Sequence, residues 1–162
     1  MKAYLIVGST NTGKSTFLRE RLKQVTNKRT LIIYDVNNEH KDLYPYAFMD
    51  FVPFMEKLTK VKHAVIAIEE ATIFFNNRST SDELTRLLVE KRHSNNYIFL
   101  CFHSLRSVPR FVYDLCNYIT LFKTNDSLSL IEQKFRDERI NEMLIRIKEN
   151  TDLHYYETLK IY

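Results

Sequence analysis

Eight consecutive residues, Gly8, Ser9, Thr10, Asn11, Thr12, Gly13, Lys14 and Ser15, spell G-x-x-x-x-G-K-S, the phosphate-binding P-loop. Each position has a chemical reason. The two glycines let the backbone wrap so that successive N–H groups converge on an anion. Lys14 is placed to reach β- and γ-phosphates, and the Ser15 hydroxyl to ligate Mg²⁺. Thr16 completes the nucleotide-binding set at the start of a helix. A second group of chemistry-bearing residues lies downstream: Glu69 and Glu70 follow the apolar run Ala64–Ile68, and His103 follows Tyr97–Phe102. Paired acids after a buried strand suit a metal-supporting carboxylate, Glu69, and a general base that orients water, Glu70.

The elements that must carry these residues are legible from apolar patterning. Ala3–Val7 reads as a buried strand, and Lys14–Lys23 as a helix with Phe17, Leu18 and Leu22 at helical spacing. The helix N-terminus then aims at the anion. Further strands are expected at Thr30–Tyr34, His63–Ile68, Tyr97–Phe102 and Tyr118–Phe122, and helices at Phe54–Lys60, Asp82–His93 and Pro109–Leu115. A loop, Thr72–Thr80, should precede the second of these helices, with Thr80 and Glu83 at capping-box spacing. Leu128, Ile131, Phe135, Ile140, Met143, Leu144 and Ile147 mark one or two amphipathic helices. The tail Leu153–Ile161 is expected to be an edge strand. Alternating strands and helices predict an α/β fold, a central, mostly parallel sheet flanked by helices. Asp35, Glu69, Glu70 and His103 all fall just after strands, at the sheet edge where ligands of such folds bind.

Roughly fifty residues and a whole strand separate Lys14 from Glu69. With a glutamate after the first acid, this resembles the RecA-like, additional-strand, catalytic-Glu class of P-loop NTPases. The Asn-Lys-x-Asp signature of GTPases is absent from the chain. The resemblance becomes specific through Lys91-Arg92-His93, Tyr97–Phe102 with His103-Ser104-Leu105, Pro109, Asp114, Tyr118-Ile119 and Phe122-Lys123. This order is similar to the FtsK–HerA superfamily, and within it to the genome-packaging ATPases of poxvirus type and of viruses with internal membranes. Asp35-Val36-Asn37-Asn38-Glu39-His40 resembles that superfamily's Asp-Pro-x-x-Glu-Tyr segment. The resemblance covers about residues 1–125 of a single P-loop ATPase domain spanning 1–162, with a C-terminal helical segment and edge strand over about 126–162.

The resemblance implies an Mg²⁺-dependent ATPase that translocates double-stranded DNA as a homo-oligomeric ring, pentamer or hexamer, and packages a viral genome into a preformed capsid. It implies a γ-phosphate sensor at His103, where the family usually has Gln, and a metal-supporting acid at Glu69, where it usually has Asp. It implies a trans-acting arginine finger at Arg92, a role for which Arg106 and Arg110 compete. A motor must grip phosphates without reading bases. Asn76, Asn77 and Arg78, in the loop after the acid pair, are the candidates for DNA contact. Capsid-vertex or membrane proteins would dock the ring, in the host cytoplasm or on the virion. For each of these residues a plainer role competes: a packing histidine at 103, a solvated helix end at Arg92, a surface loop at 76–78.

Composition sets outer bounds. The chain has 162 residues, 44% hydrophobic and 27% charged, with a net charge of +4, an ordinary globular balance that tolerates a polyanionic partner. Its apolar runs fall far short of the roughly 20 residues of a membrane span, and no signal peptide is expected. Cys101 and Cys116 lie in apolar stretches and read as reduced core residues of an intracellular protein. Two other readings share the ATPase core: an assembly or export factor of the zonular-occludens-toxin type, and an ATP-switched binding protein with little turnover. A small-molecule kinase is a further option.

Overall fold

The computed structural model describes residues 2–25, 29–40, 47–58, 61–75 and 78–162. Among them, seven strands form one sheet in the order β3-β2-β4-β5-β1-β6-β7. The strands are β1 (Ala3–Val7), β2 (Thr30–Tyr34), β3 (Ala47–Phe48), β4 (Ala64–Ile68), β5 (Tyr97–Phe102), β6 (Tyr118–Phe122) and β7 (Tyr156–Lys160). All pairings are parallel except β6 with β7. Parallel strands buried on both faces carry continuous apolar runs, and β4, Ala-Val-Ile-Ala-Ile, is buried at every position.

The strand order decides the NTPase class. β5 sits between β1, which leads into the P-loop, and β4, which ends in the acid pair. This is the additional-strand arrangement of the RecA-like fold. Registers Val7↔Phe102 and Ile68↔Leu100 bring the C-terminal ends of these three strands level. The P-loop, Glu69-Glu70 and His103 therefore emerge side by side.

Helices cover both faces. α1 (Lys14–Val25) packs Phe17, Leu18 and Leu22 on a cluster of Ile6, Leu31, Ile33, Val65, Ala67, Phe99, Cys101 and Phe122. The opposite face carries the larger cluster. There α2 (Phe51–Leu58), α3 (Arg78–Glu90), α4 (Arg110–Leu115), α5 (Leu128–Phe135) and α6 (Glu138–Glu149) bury Phe54, Leu84, Leu88, Val112, Ile131, Ile140, Leu144 and Ile147. Both cysteines are free and buried, as their apolar surroundings imply. No helix among the described residues is long and apolar enough to cross a membrane.

Several boundaries differ from expectation. The loop expected at Thr72–Thr80 contains a 3₁₀ turn, Ala71–Phe75, and α3 already begins at Arg78. Thr80 thus lies inside the helix and cannot be its N-cap. The helix also stops at Glu90, and residues 91–95 form turns closed by the Lys91 ammonium on the carbonyls of Leu88 (3.1 Å) and Leu115 (2.7 Å). α2 begins at Phe51, three residues before its expected start; the expected end at Lys60 lies outside the described residues. β3 was not expected at all.

Candidate nucleotide site

The P-loop is fastened to both neighbouring strands before any ligand arrives. Gly8 N–H donates to Phe102 O (3.1 Å) and Ser9 N–H to Lys123 O (2.8 Å). Gly8 is required by crowding: a Cβ there would stand 2.5 Å from the Phe122 Cβ and 3.0 Å from Thr12 Oγ1. Gly13 is required by conformation, with φ at +98°, a region that costs any Cβ-bearing residue. Asn11 also adopts positive φ, 63°, which asparagine tolerates better than most residues. Thr12 Oγ1 donates to Ser9 O (2.8 Å), tying the loop across itself. Lys14 Nζ donates to the same carbonyl (2.7 Å). Burial pulls the Lys14 ammonium below its ordinary pKa, while Cys101, Glu70, Glu69 and Glu39 push it back up.

Above this loop lies a cleft of about 340 Å³ lined by Thr10, Asn11, Gly13, Lys14, Ser15, Thr16, Glu69, Glu70 and His103, joined by Asn37, Glu39, Cys101 and His154. The structure thus brings together most of the residues singled out from sequence. Gly8, Ser9 and Thr12 serve as the frame beneath and beside the cleft.

Each acid of the pair has its own histidine. His40 Nε2 meets Glu69 Oε1 at 2.7 Å, with both side chains buried. His103 Nε2 meets Glu70 Oε1 at 2.6 Å in a half-open setting, 47% and 23% exposed. An ionised carboxylate only accepts, so Nε2 carries the proton in both pairs. His40 is delivered by Asp35. The fully buried Asp35 carboxylate accepts the backbone N–H groups of Glu39 (3.1 Å) and His40 (2.8 Å). Burial opposes charge on His40, but the Glu69 hydrogen bond and the nearby Glu69, Asp35 and Glu39 charges outweigh it and hold its pKa above the ordinary 6.5. Glu69 departs from the usual Asp by one methylene, and that reach meets His40.

The Ser15 hydroxyl and the Glu69 and Glu70 carboxylates line one cleft. These are hard oxygen donors of the kind Mg²⁺ takes together with substrate phosphates, rather than from an all-protein cage. No cluster of three or more His, Cys, Asp or Glu able to hold a metal alone occurs among the described residues. The residues fit the ion.

Solved structures of two viral proteins share the architecture across 99% of this chain and 92% of theirs. One is B204, the DNA-packaging ATPase from Sulfolobus turreted icosahedral virus, with a TM-score of 0.79 and 19% identity. The other is the genome-packaging NTPase B204 from Sulfolobus turreted icosahedral virus 2 in complex with AMPPCP, with a TM-score of 0.76 and 20% identity. The same protein in complex with ATP-γS gives 0.72 at 20% identity. A scan against protein-family models gives no match, and a search of curated proteins gives none either. The chain therefore has the P-loop NTPase fold of these packaging proteins.

Other expected site residues lie elsewhere. Arg92 is exposed in the turn between α3 and β5. That is the N-terminal edge of the strands, opposite the P-loop, so it does not serve its own subunit's cleft. Arg106 is exposed in the turn after β5, on the P-loop edge. Arg110 is engaged with Asp114 (3.0 Å) and the Phe135 carbonyl. Asn76 and Asn77 lie outside the described residues, and Arg78 opens α3. His154, at the mouth of the P-loop, was missed from sequence. It arrives because β7 pairs with β6, next to the P-loop strand; the edge-strand tail was the available signal.

Proposed function

We propose that this chain is an Mg²⁺-dependent ATPase that moves double-stranded DNA and packages a viral genome into a preformed capsid. The observation that carries the proposal is the Glu70–His103 pair facing the P-loop lysine across one cleft, on a fold shared with genome-packaging NTPases.

The chemistry follows from the residues. Backbone N–H groups of the P-loop and the N-terminus of α1 receive the phosphates. Lys14 exchanges its bond to Ser9 O for the β- and γ-phosphates. Ser15 and Glu69 would hold Mg²⁺, which neutralises phosphate charge when bound. Glu70 accepts a proton from water as that water attacks the γ-phosphorus, and ADP departs. His103 is placed to trade its bond to Glu70 for one to the γ-phosphate. The base is thereby released when substrate is complete, and the phosphate state is reported to the loop after the acid pair. The +4 net charge is compatible with a phosphate backbone as cargo. A ring of copies would work in the host cytoplasm or on the virion, docked by capsid or membrane proteins.

The test is ATP turnover with and without long double-stranded DNA at low salt, across protein concentrations. The expected result is stimulation by DNA that grows with protein concentration. Turnover indifferent to both would replace the motor with an ATP-switched binding protein.

A further inference from the structure

The phosphate cleft does not end at Thr16. A second cleft of about 370 Å³ shares Gly13, Thr16 and His154 with it and is otherwise lined by Phe17, Glu20, Phe122 and Tyr156. Its size lies within the range of small-molecule sites. Three rings form one wall. Phe17 and Tyr156 lie with centroids 5.0 Å apart, Phe122 and Tyr156 5.0 Å, and Phe17 and Phe122 5.7 Å.

Topology explains why this wall is open. α1 covers the centre of its face of the sheet, but β6 and β7 extend that face beyond the helix. Phe122 and Tyr156 are register partners on the extension. Phe122 is buried, whereas Tyr156 is 43% exposed. Phe17 is 8% exposed and carries the Arg21 guanidinium 5.0 Å from its centroid, so the free aromatic surface belongs to Tyr156. The loop before β7 is held in place by its own bonds: Asp152 N–H to Asn150 Oδ1 (2.8 Å) and His154 N–H to Asp152 Oδ1 (2.9 Å). It sets His154 Nδ1 3.4 Å from where a Cβ on Gly13 would stand, at the junction of the two clefts.

We infer that this aromatic ledge is the nucleobase subsite, and that the base stacks on Tyr156 when its triphosphate occupies the P-loop. The occupant follows from continuity. The loop and the N-terminus of α1 would cradle the α- and β-phosphates while Lys14 reaches the β- and γ-phosphates, and the cleft continues away from Lys14 at the junction of Gly13, Thr16 and His154. On that side it meets the apolar rings; on the other it meets Glu69 and Glu70. An aromatic face takes a base by stacking without hydrogen-bond readout. The C-terminal strand, outside the segment that carries the motifs, thus becomes part of the nucleotide site. This inference rests on the nucleotide-binding reading above.

The test compares two probes on two variants by calorimetry. The probes are β,γ-methylene ATP, which carries the base, and inorganic tripolyphosphate, which does not. Tyr156→Ala should weaken the ATP analogue about tenfold or more and leave tripolyphosphate within about twofold. Tyr156→Phe, which keeps the ring, should bind both like the parent. Tyr156 is an exposed edge-strand residue, and an unchanged Tm confirms that each variant is folded. Equal affinity of Tyr156→Ala and parent for the ATP analogue would overturn the ledge, as would a parallel loss of both probes. If the parent bound neither probe, the nucleotide reading itself would fall and the ledge with it.

Discussion

At the residue scale, the two acids after β4 are separated by environment rather than by chemistry. Both line the cleft, but Glu70 is part-exposed beside His103, whereas Glu69 is buried with one oxygen held by His40. Glu70→Gln should keep ATP affinity and lose turnover by about a hundredfold or more, since general bases contribute ~10²–10⁴-fold; unchanged kcat would remove Glu70 from the base role. The buried pair makes a different prediction. His40→Ala leaves the Glu69 carboxylate buried without its partner, and breaking such a pair costs about 3–5 kcal/mol. Denaturant melts should show that loss, and adding Glu69→Gln should recover part of it, because the stranded charge is then gone. An additive double variant would mean that the two side chains are not coupled. Both departures from the pattern of the superfamily that the sequence resembles are visible in sequence, Glu for Asp and His for Gln. That Glu69 meets His40 was not, because residues 29 positions apart meet only through the Asp35 turn.

At the element scale, strands buried in the sheet could be read almost to the residue. Their apolar runs stop where the chain leaves the core, so Thr30–Tyr34, Tyr97–Phe102 and Tyr118–Phe122 carry their own boundaries. Elements ordered by packing alone could not be read this way. The first turn of α3, Arg-Ser-Thr-Ser, has no apolar period, and the two residues of β3 are defined only by pairing with Ile33 and Tyr34. α6 shows what an explicit cap contributes. Asp137 accepts from Arg139 N–H (3.1 Å), the Arg139 guanidinium (2.8 Å) and the Tyr113 hydroxyl (2.6 Å). The Arg139 hydrogen bond, aided by Tyr113 and against some burial, holds its pKa down at about 2, from 3.8. A depressed carboxylate stabilises above its unfolded pKa and loses that contribution as pH falls through its folded one. Asp137→Asn should therefore cost on the order of 1 kcal/mol near neutrality, after discounting for solvent screening. The gap to the parent should close between pH 3.8 and about 2. A gap independent of pH would mean that the cap acts by shape and not by charge.

At the scale of the whole molecule, the cleft is electrostatically incomplete. Its lining holds three carboxylates, Glu39, Glu69 and Glu70, against one permanent cation, Lys14. A triphosphate brings further negative charge, and a divalent ion offsets only part of it. The transferring phosphoryl group spreads charge over oxygens that an arginine fork stabilises well, an effect worth about 10³–10⁵ in rate where such fingers occur. Among the described residues no arginine lines the cleft, and the expected finger, Arg92, projects from the opposite sheet edge. On the proposed ring reading, a neighbouring copy would supply that charge. Arg92 and Arg106 can be separated by complementation. Each arginine-to-alanine variant is mixed with Lys14→Ala, whose own cleft is dead but whose arginines are intact. For the true finger, the two inactive proteins together should regain a substantial fraction of parental turnover, because hybrid interfaces pair an intact cleft with an intact arginine. The other arginine should give a variant that is active alone. If neither variant loses turnover, neither arginine is the finger; if one loses it and no mixture regains it, the active site is not shared between subunits, and the DNA motor loses the coupling that a ring would supply.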